Sequence, residues 1–287
     1  MDNDFTKINM QKFKTREELR NLVIDSFAKE AEIFSIFFFG KEVDNKSDEY
    51  SDIDMIVCSN DLAKTQAKYL QIFNAISPVI GLHLLDSTEN NLSQMIMLKD
   101  FSSYQKIDFS ITDNIATKIS AGFGPFITVY KNAQPSTKTN SKLKIIKENS
   151  VKNQLADILF SVPRFTKCLF RKDRDMYRRW KGISDIVMVL LYEKYFGWKE
   201  NTLQKKISAK ESSALYKKLS NNENELLDKI FPLSGNFNIA TSYAICIKLL
   251  IKLCKQKAAH YGTTLNEDFI QHIEIFLNSE INRYAKD

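Results

Sequence analysis

Hydrophobic and polar positions divide the chain into two parts with different periods. Up to about residue 131, short apolar runs alternate with polar loops, which is typical of strands joined by turns and a few helices. Beyond about residue 149, apolar residues recur every three or four positions, which is typical of amphipathic helices. The pattern predicts an α+β protein: an N-terminal module with a mixed sheet of about five strands, followed by a C-terminal helical bundle.

The first part also contains two predicted helices. Thr15 followed three residues later by Glu18 is a capping-box signature, and apolar spacing continues the helix to about Glu30. Asp61 is the expected N-cap of the second helix, which Pro78 ends because proline has no N–H to donate. Both helices are therefore bounded by local signals.

The expected domain boundary is the polar stretch 133–141, which contains Pro135. We therefore divide the chain into a first domain, 1–135, and a helical domain, 142–287. Helices in the second domain are predicted over 149–171, 175–197, 210–231, 237–260 and 265–285.

A pair of aspartates opens one of the predicted strands. The apolar run 36–39 ends at Gly40, a polar loop follows, and Asp52 and Asp54 precede the next apolar run. Side chains alternate along a strand, so these two carboxylates share one face. Carboxylate pairs bind Mg²⁺ together with substrate phosphates, and two such ions can clamp the oxygens of a phosphoryl-type displacement.

A third carboxylate, Asp108, lies in a later predicted strand. Ile107 and Phe109 alternate there with Lys106 and Asp108, as in a half-buried strand. The sequence therefore offers three candidate ligands for two Mg²⁺ ions: Asp52, Asp54 and Asp108.

The strand, Gly40, the loop and the Asp52-Ile53-Asp54 motif resemble the nucleotidyltransferase superfamily of DNA polymerase β, and in particular its aminoglycoside and lincosamide nucleotidyltransferases. Lys41 stands where this family usually has a serine that binds the triphosphate, and a lysine would meet phosphate as a point charge. The resemblance implies that Gly40, Lys41 and Ser51 contact the nucleotide.

The resemblance also implies the reaction: AMP moves from ATP to a hydroxyl of a small molecule, an aminoglycoside or a lincosamide. Asp52 and Asp54 would hold Mg²⁺, and Asp108 would complete the metal site or deprotonate the acceptor. The acidic loop residues Asp44, Asp48 and Glu49 favour a cationic aminoglycoside. Relatives of this kind also carry a helical C-terminal domain, and some share the active site across a homodimer.

Two other functions remain open. One is adenylylation of a protein partner, as in toxin–antitoxin systems, although such modules are usually shorter than this chain. The other is a catalytically inactive nucleotide-binding protein, which Lys41 in place of serine would suit.

Positive charge is concentrated in the second part. Residues 151–287 contain 23 lysines and arginines against 15 aspartates and glutamates. Six of these cations lie within 171–181, where Arg174, Arg178 and Lys181 would share a helix face and could neutralise a triphosphate. We see no RNA-binding signature and no strong helix-turn-helix signal, so nucleic acid is not an expected partner.

Cysteine usage and the N-terminus favour a cytoplasmic protein. The four cysteines form no CxxC motif, and buried free thiols in a reducing compartment explain them. Residues 1–4 are polar and acidic, unlike a secretory signal, and no run is long enough to span a membrane.

Overall fold

The structure is a computed structural model of the 287-residue chain and describes residues 13–44, 46–120, 122, 124–134, 136–147, 149–201, 206–232 and 238–284. The chain divides into a sheet unit, Lys12–Glu148, and a helical unit that includes Asn149–Asp287. Residues 1–4, Pro135 and the predicted helix ends at 237 and 285 lie outside the described residues.

The sheet unit contains a mixed sheet, which confirms the predicted α+β class. Its described residues form six strands rather than about five: β1 (Ile33–Phe39), β2 (Ile53–Ser59), β3 (Val79–Ser87), β4 (Asn91–Leu98), β5 (Ile107–Thr112) and β6 (Phe126–Lys131). Their order across the sheet is β3-β4-β5-β2-β1-β6. Only the β2–β5 pair is parallel, and the other neighbouring pairs are antiparallel.

Three helices belong to the same unit: α1 (Arg16–Ala28), α2 (Leu62–Ile76) and α3 (Ile115–Ser120). The predicted capping box is present, with the Thr15 side chain accepting from the Glu18 N–H and the Glu18 side chain accepting from the Thr15 N–H. Asp61 caps α2 as predicted, accepting from Lys64 N. α3 has no counterpart among the predicted helices, because its six residues are too few for a clear helical period.

The core of the sheet unit lies on one face of the sheet. Alternate residues of β2 and β5 point into it, and Phe27 of α1 and Phe73 of α2 cover Phe109 at ring-centroid distances of 5.3 and 5.0 Å. Because side chains alternate along a strand, the residues between these apolar positions point to the opposite face. That opposite face carries Asp54 of β2 and Asp108 and Ser110 of β5.

Residues 136–147, which include most of the expected domain boundary, form hydrogen bonds with the sheet unit. Ser141 Oγ donates to Asp61 Oδ1 at 2.8 Å, and Ile146 N donates to Ser87 Oγ at 2.8 Å. Leu143 is buried in the sheet core. Residues 136–147 therefore continue the first unit.

The described part of the helical unit contains seven helices: α4 (Ser150–Phe160), α5 (Pro163–Phe170), α6 (Met176–Phe196), α7 (Ala209–Tyr216), α8 (Asn221–Ile230), α9 (Ile239–His260) and α10 (Glu267–Tyr284). Two of the predicted helical segments each contain two helices instead of one. The segment 149–171 is divided before Pro163, which has no N–H with which to continue α4. The segment 210–231 is divided by a capping box of Ser220 and Glu223 that starts α8.

None of the helices in the described ranges combines the length and the apolar character that a membrane span requires. The four cysteines are unpaired and buried, as expected. Burial, with a smaller contribution from the negative charge of Asp113, raises the pKa of the Cys58 thiol to about 12. These thiols are therefore protonated core residues at neutral pH.

Candidate active site

Two of the predicted carboxylates lie side by side. β2 and β5 are parallel neighbours, and Asp54 pairs with Asp108 in their register. Paired residues of adjacent strands point to the same face, and both side chains line one cavity of about 540 Å³ within the sheet unit. Tertiary structure thus brings together two acids that are 54 positions apart in the chain.

Gly40, at the end of β1, lies directly against Asp54. Its φ is +67°, in the left-handed region, and a Cβ added there would overlap the Asp54 carboxylate. Glycine is therefore required for both the backbone conformation and the space. Lys41 follows in a 3-10 turn, Gly40–Glu42, where it is exposed and its carbonyl accepts from Lys46 N at 3.1 Å.

Ser51 is buried in the loop that leads into β2. Its hydroxyl donates to Asp48 Oδ1 at 2.7 Å and accepts from Asp48 N at 3.1 Å. The described contacts of Ser51 thus hold the turn before Asp52. The predicted contact between Ser51 and a nucleotide stays a prediction.

Arg16, in the first turn of α1, fixes the backbone at the same place. It donates to the carbonyls of Ser51 and Asp52 at 3.0 and 3.1 Å and pairs with the Glu42 carboxylate. Burial lowers the pKa of the Arg16 guanidinium, against the opposing effect of Asp52, but arginine remains charged in proteins. Arg16 therefore anchors both ends of the loop between β1 and β2.

Lys106 joins Asp52 to Asp108. Its Nζ lies 3.0 Å from Asp52 Oδ2 and donates to Asp108 Oδ1, and the residue is only 4% exposed. Burial acts to lower the pKa of Lys106, but the charges of Asp108 and Asp52 outweigh it, so this pKa is raised above its ordinary value. Lys106 is a buried cation at neutral pH.

The cavity has a polar wall beyond Asp108. Lys118, buried on α3, donates to Ser93 Oγ at 2.9 Å and to Ser110 Oγ at 3.1 Å. Burial lowers the pKa of Lys118, while Asp86 opposes this shift. Asp86, Asn91 and the apolar residues Phe39 and Leu85 also line the cavity. The wall therefore offers both charges and hydroxyl groups to a ligand.

Arg178 and Lys181 lie on α6, in the helical unit. Arg178 pairs with Asp175 at 2.6 Å and Lys181 with Asp185 at 2.8 Å, so each has an acidic partner close by in the chain. Both are largely exposed, and they line different cavities, of about 180 and 270 Å³. Arg174 precedes α6, so it does not share a helix face with them.

Arg16, Lys106 and Lys118 are absent from the predicted site residues. Lys106 had a usable signal, because it lies two positions before Asp108 and period-two alternation places both on one face. Arg16 and Lys118 had none, because each reaches the site from a helix and no local periodicity relates its side chain to the strand residues that it contacts.

The chemistry of the Asp54–Asp108 pair fits Mg²⁺, which binds proteins through one or two carboxylates and completes its shell with phosphate and water. Within the part of the chain that the structure describes, no group of three or more acidic, histidine or cysteine side chains is placed to hold a metal ion. A bound ion would therefore take its remaining ligands from substrate or water. The metal-binding role of Asp52 stays a prediction.

No protein-family model and no curated protein matches the chain. Among solved structures, the chain is similar to an aminoglycoside 6-adenyltransferase from Bacillus subtilis, with 14% sequence identity and a TM-score of 0.30. The match covers 96% of this chain and 98% of that one. A TM-score this low supports no conclusion about fold or activity, so the proposal below depends on the geometry of the site.

Proposed function

We propose that this protein is a Mg²⁺-dependent nucleotidyltransferase that transfers AMP from ATP to a hydroxyl group of a small molecule, either an aminoglycoside or a lincosamide. The observation that carries the proposal is the pairing of Asp54 with Asp108 on one sheet face, with the Gly40 backbone against Asp54. Two carboxylates beside a glycine turn that the phosphates can approach closely are what phosphoryl-type transfer needs.

The transfer step uses few protein groups. The acceptor oxygen forms a bond to the α-phosphorus while the bond from that phosphorus to the β-phosphate oxygen breaks, and pyrophosphate leaves with that electron pair. The proton of the acceptor hydroxyl passes to solvent water, because Asp108 is paired with Lys106 and would also be a ligand of the ion. Asp54 and Asp108 would hold Mg²⁺, which supplies charge neutralisation for the phosphates when bound. The chain contributes mainly positioning and electrostatics.

The cavity supports an acceptor of drug-like size. Its volume of about 540 Å³ lies within the range of small-molecule sites. Ser93, Ser110 and Asn91 can exchange hydrogen bonds with hydroxyl groups, and Phe39 and Leu85 offer apolar surface. This mixture suits a hydroxylated small molecule better than an extended protein segment.

The test is pyrophosphate release from ATP and from GTP with Mg²⁺, in the presence of individual aminoglycosides and lincosamides. We expect release that depends on one acceptor class and that falls at least about a thousandfold in Asp54→Asn, since the metal loses a charged ligand and the phosphates lose the charge neutralisation that the metal supplies. Asp61→Asn is the matched control: it makes the same change at the cap of α2, where asparagine caps equally well.

The second candidate is a nucleotide-binding protein without transferase activity, favoured by Lys41 and by the ion pairs that Lys106 makes with Asp52 and Asp108. ATP binding without pyrophosphate release for any acceptor would support it. A protein that neither binds ATP nor releases pyrophosphate would contradict both functions.

A further inference from the structure

Lys106 occupies the space between two of the three carboxylates. Its Nζ lies within ion-pair distance of both Asp52 Oδ2 and Asp108 Oδ1, at 3.0 Å from the former. A Mg²⁺ ion that bridged these same two oxygens would lie about 2.1 Å from each. That position overlaps the ammonium, so the lysine and a bridging ion exclude each other.

Electrostatic repulsion also argues against an ion that bridges Asp52 and Asp108. Lys106 is buried, where its charge is poorly screened, so a dication placed between Asp52 and Asp108, in direct contact with the ammonium, would be repelled strongly. Three carboxylates, one ammonium and one Mg²⁺ already sum to zero formal charge. A second ion would leave an excess of positive charge before any nucleotide arrives.

Asp54 is different from Asp52 in this respect. It is paired in register with Asp108, lies against Gly40 and lines the cavity, whereas Asp52 lies outside the residues that line it. Asp52 and Asp54 thus have different surroundings, although they are only two residues apart in the chain.

We propose that Lys106 is a built-in cation that takes the place of a second metal ion, so that the site binds a single divalent ion through Asp54 and Asp108. Asp52 is then a positioning residue that holds Lys106, and not a metal ligand. The inference rests on the proposed function for the presence of a metal, and it replaces the two-ion expectation from the sequence.

The number of bound ions tests the proposal directly. Mn²⁺ serves as the probe, because its free form is counted by electron paramagnetic resonance, and it is titrated into the full chain alone and with α,β-methylene-ATP. We expect one bound Mn²⁺ in the wild type and two in Lys106→Met, which keeps the chain length and removes the charge. Two ions in the wild type, one ion in a folded Lys106→Met, or no bound ion at all would overturn the proposal.

Matched variants keep the test decisive if Lys106→Met fails to fold. Asp52→Asn should leave the affinity for the single ion within about threefold, whereas Asp54→Asn should weaken it by about tenfold or more. Equal losses in the two variants would overturn the proposal. Lys138→Met, at a surface lysine that pairs with Asp113, controls for the loss of one positive charge and should leave the count at one.

These outcomes are distinguishable from failure of the proposed function. One ion in the wild type and two in Lys106→Met, without pyrophosphate release for any acceptor, would keep the inference and remove the transferase. Acceptor-dependent release with two ions in the wild type would keep the transferase and remove the inference.

Discussion

Each unit of the protein buries a lysine beside carboxylates, but the two arrangements differ in their access to water. In the helical unit, Lys257 of α9 pairs with Glu193 of α6 at 3.0 Å, and their side chains are 1% and 0% exposed. In the sheet unit, the Lys106 side chain is 5% exposed, but its partners Asp52 and Asp108 are 31% and 27% exposed. The Lys257–Glu193 pair is fully enclosed in the helical core. In the sheet unit Lys106 is enclosed, but its two carboxylate partners remain partly exposed to water.

The exposure of the carboxylates distinguishes a lysine with a structural role, Lys257, from a lysine at a ligand site, Lys106. A sealed pair can only stabilise the arrangement of its own helices, because no ligand can reach it. Around Lys106, Asp108 keeps an exposed edge on a cavity, so it can bind a ligand there while Lys106 stays in place. The exposure of the carboxylate partners therefore indicates whether a buried lysine of this chain has a structural role or lies at a ligand site.

The largest expected effect is the loss of stability when each buried lysine is replaced by methionine. Lys257→Met should lower the free energy of unfolding by about 3–5 kcal/mol, because it leaves Glu193 charged and sealed from water. Lys106→Met should cost only about 1–2 kcal/mol, because Asp52 and Asp108 regain water. Urea unfolding measures both, with Trp180 and Trp198 fluorescence reporting on the helical unit and circular dichroism on the whole chain.

A second variant controls this experiment. Lys257→Met combined with Glu193→Leu leaves no unpaired charge and should recover most of the lost stability. Equal costs for Lys257→Met and Lys106→Met would mean that the exposure of the partners does not distinguish the two units.

A somewhat smaller effect, dependent on pH, is expected at Glu223 in the helical unit. Burial acts to raise the pKa of this carboxyl, but hydrogen bonds from Lys194, Tyr195 and Ser220 outweigh it and lower the pKa to about 2, against a usual 4.5. A lowered folded-state pKa contributes stability above pH 4.5 that is lost as the pH falls towards 2. Glu223→Gln should therefore cost about 3 kcal/mol at pH 7 and almost nothing near pH 2.

Urea unfolding followed by tryptophan fluorescence between pH 2 and pH 7 measures this difference. Ser208 and Glu211 form a second capping box in the same unit, at the start of α7, where Glu211→Gln provides a matched control. The capping box gives Glu211 the neutral hydroxyl and N–H groups of Ser208 as donors, whereas Glu223 also accepts from the Lys194 ammonium. The cost of Glu211→Gln should therefore change less with pH than the cost of Glu223→Gln. A constant difference between wild type and Glu223→Gln would show that the charge of Glu223 contributes nothing.

The smallest effect on stability, with a large effect on activity, is expected at Gly40. Gly40→Ala should cost about 1–2 kcal/mol, because alanine is strained at a φ of +67°. Its Cβ would also displace the Asp54 carboxylate, so pyrophosphate release should fall by at least about tenfold.

Gly262 in the helical unit is the matched control for Gly40. Its φ is +64°, but a Cβ there would meet nothing within 4 Å. Gly262→Ala should therefore cost a similar amount of stability and leave the activity unchanged. Equal activity in Gly40→Ala and Gly262→Ala would show that the contact with Asp54 has no role in catalysis.

Local signals predicted the fold well where they were strong. The capping box of α1, the N-cap Asp61 of α2 and the periodic apolar residues placed these two helices and the strands that carry Asp54 and Asp108, because such features act within a few residues. The α8 capping box at Ser220 was an available signal that the sequence analysis overlooked. The short helix α3 left no periodic pattern to find.

The candidate site was predictable in its acids and in Lys106, but not in Arg16 and Lys118. Asp54 and Asp108 each lie in an alternating apolar run, which predicts a strand and the face on which the carboxylate lies. Arg16 and Lys118 approach the site from helices, and nothing in their local sequence marks them as partners of Ser51 or Ser93.

The sequence by itself determined which residues carry acidic chemistry and on which face of its own strand each of them lies, because side-chain alternation is a local property. Tertiary structure decided that β2 and β5 are parallel neighbours, that Asp54 stands beside Asp108, and that Lys106 lies between Asp108 and Asp52. The physical reason is that strand pairing depends on the path of the whole chain and on the core beneath the sheet, whereas periodicity depends only on the backbone of each strand.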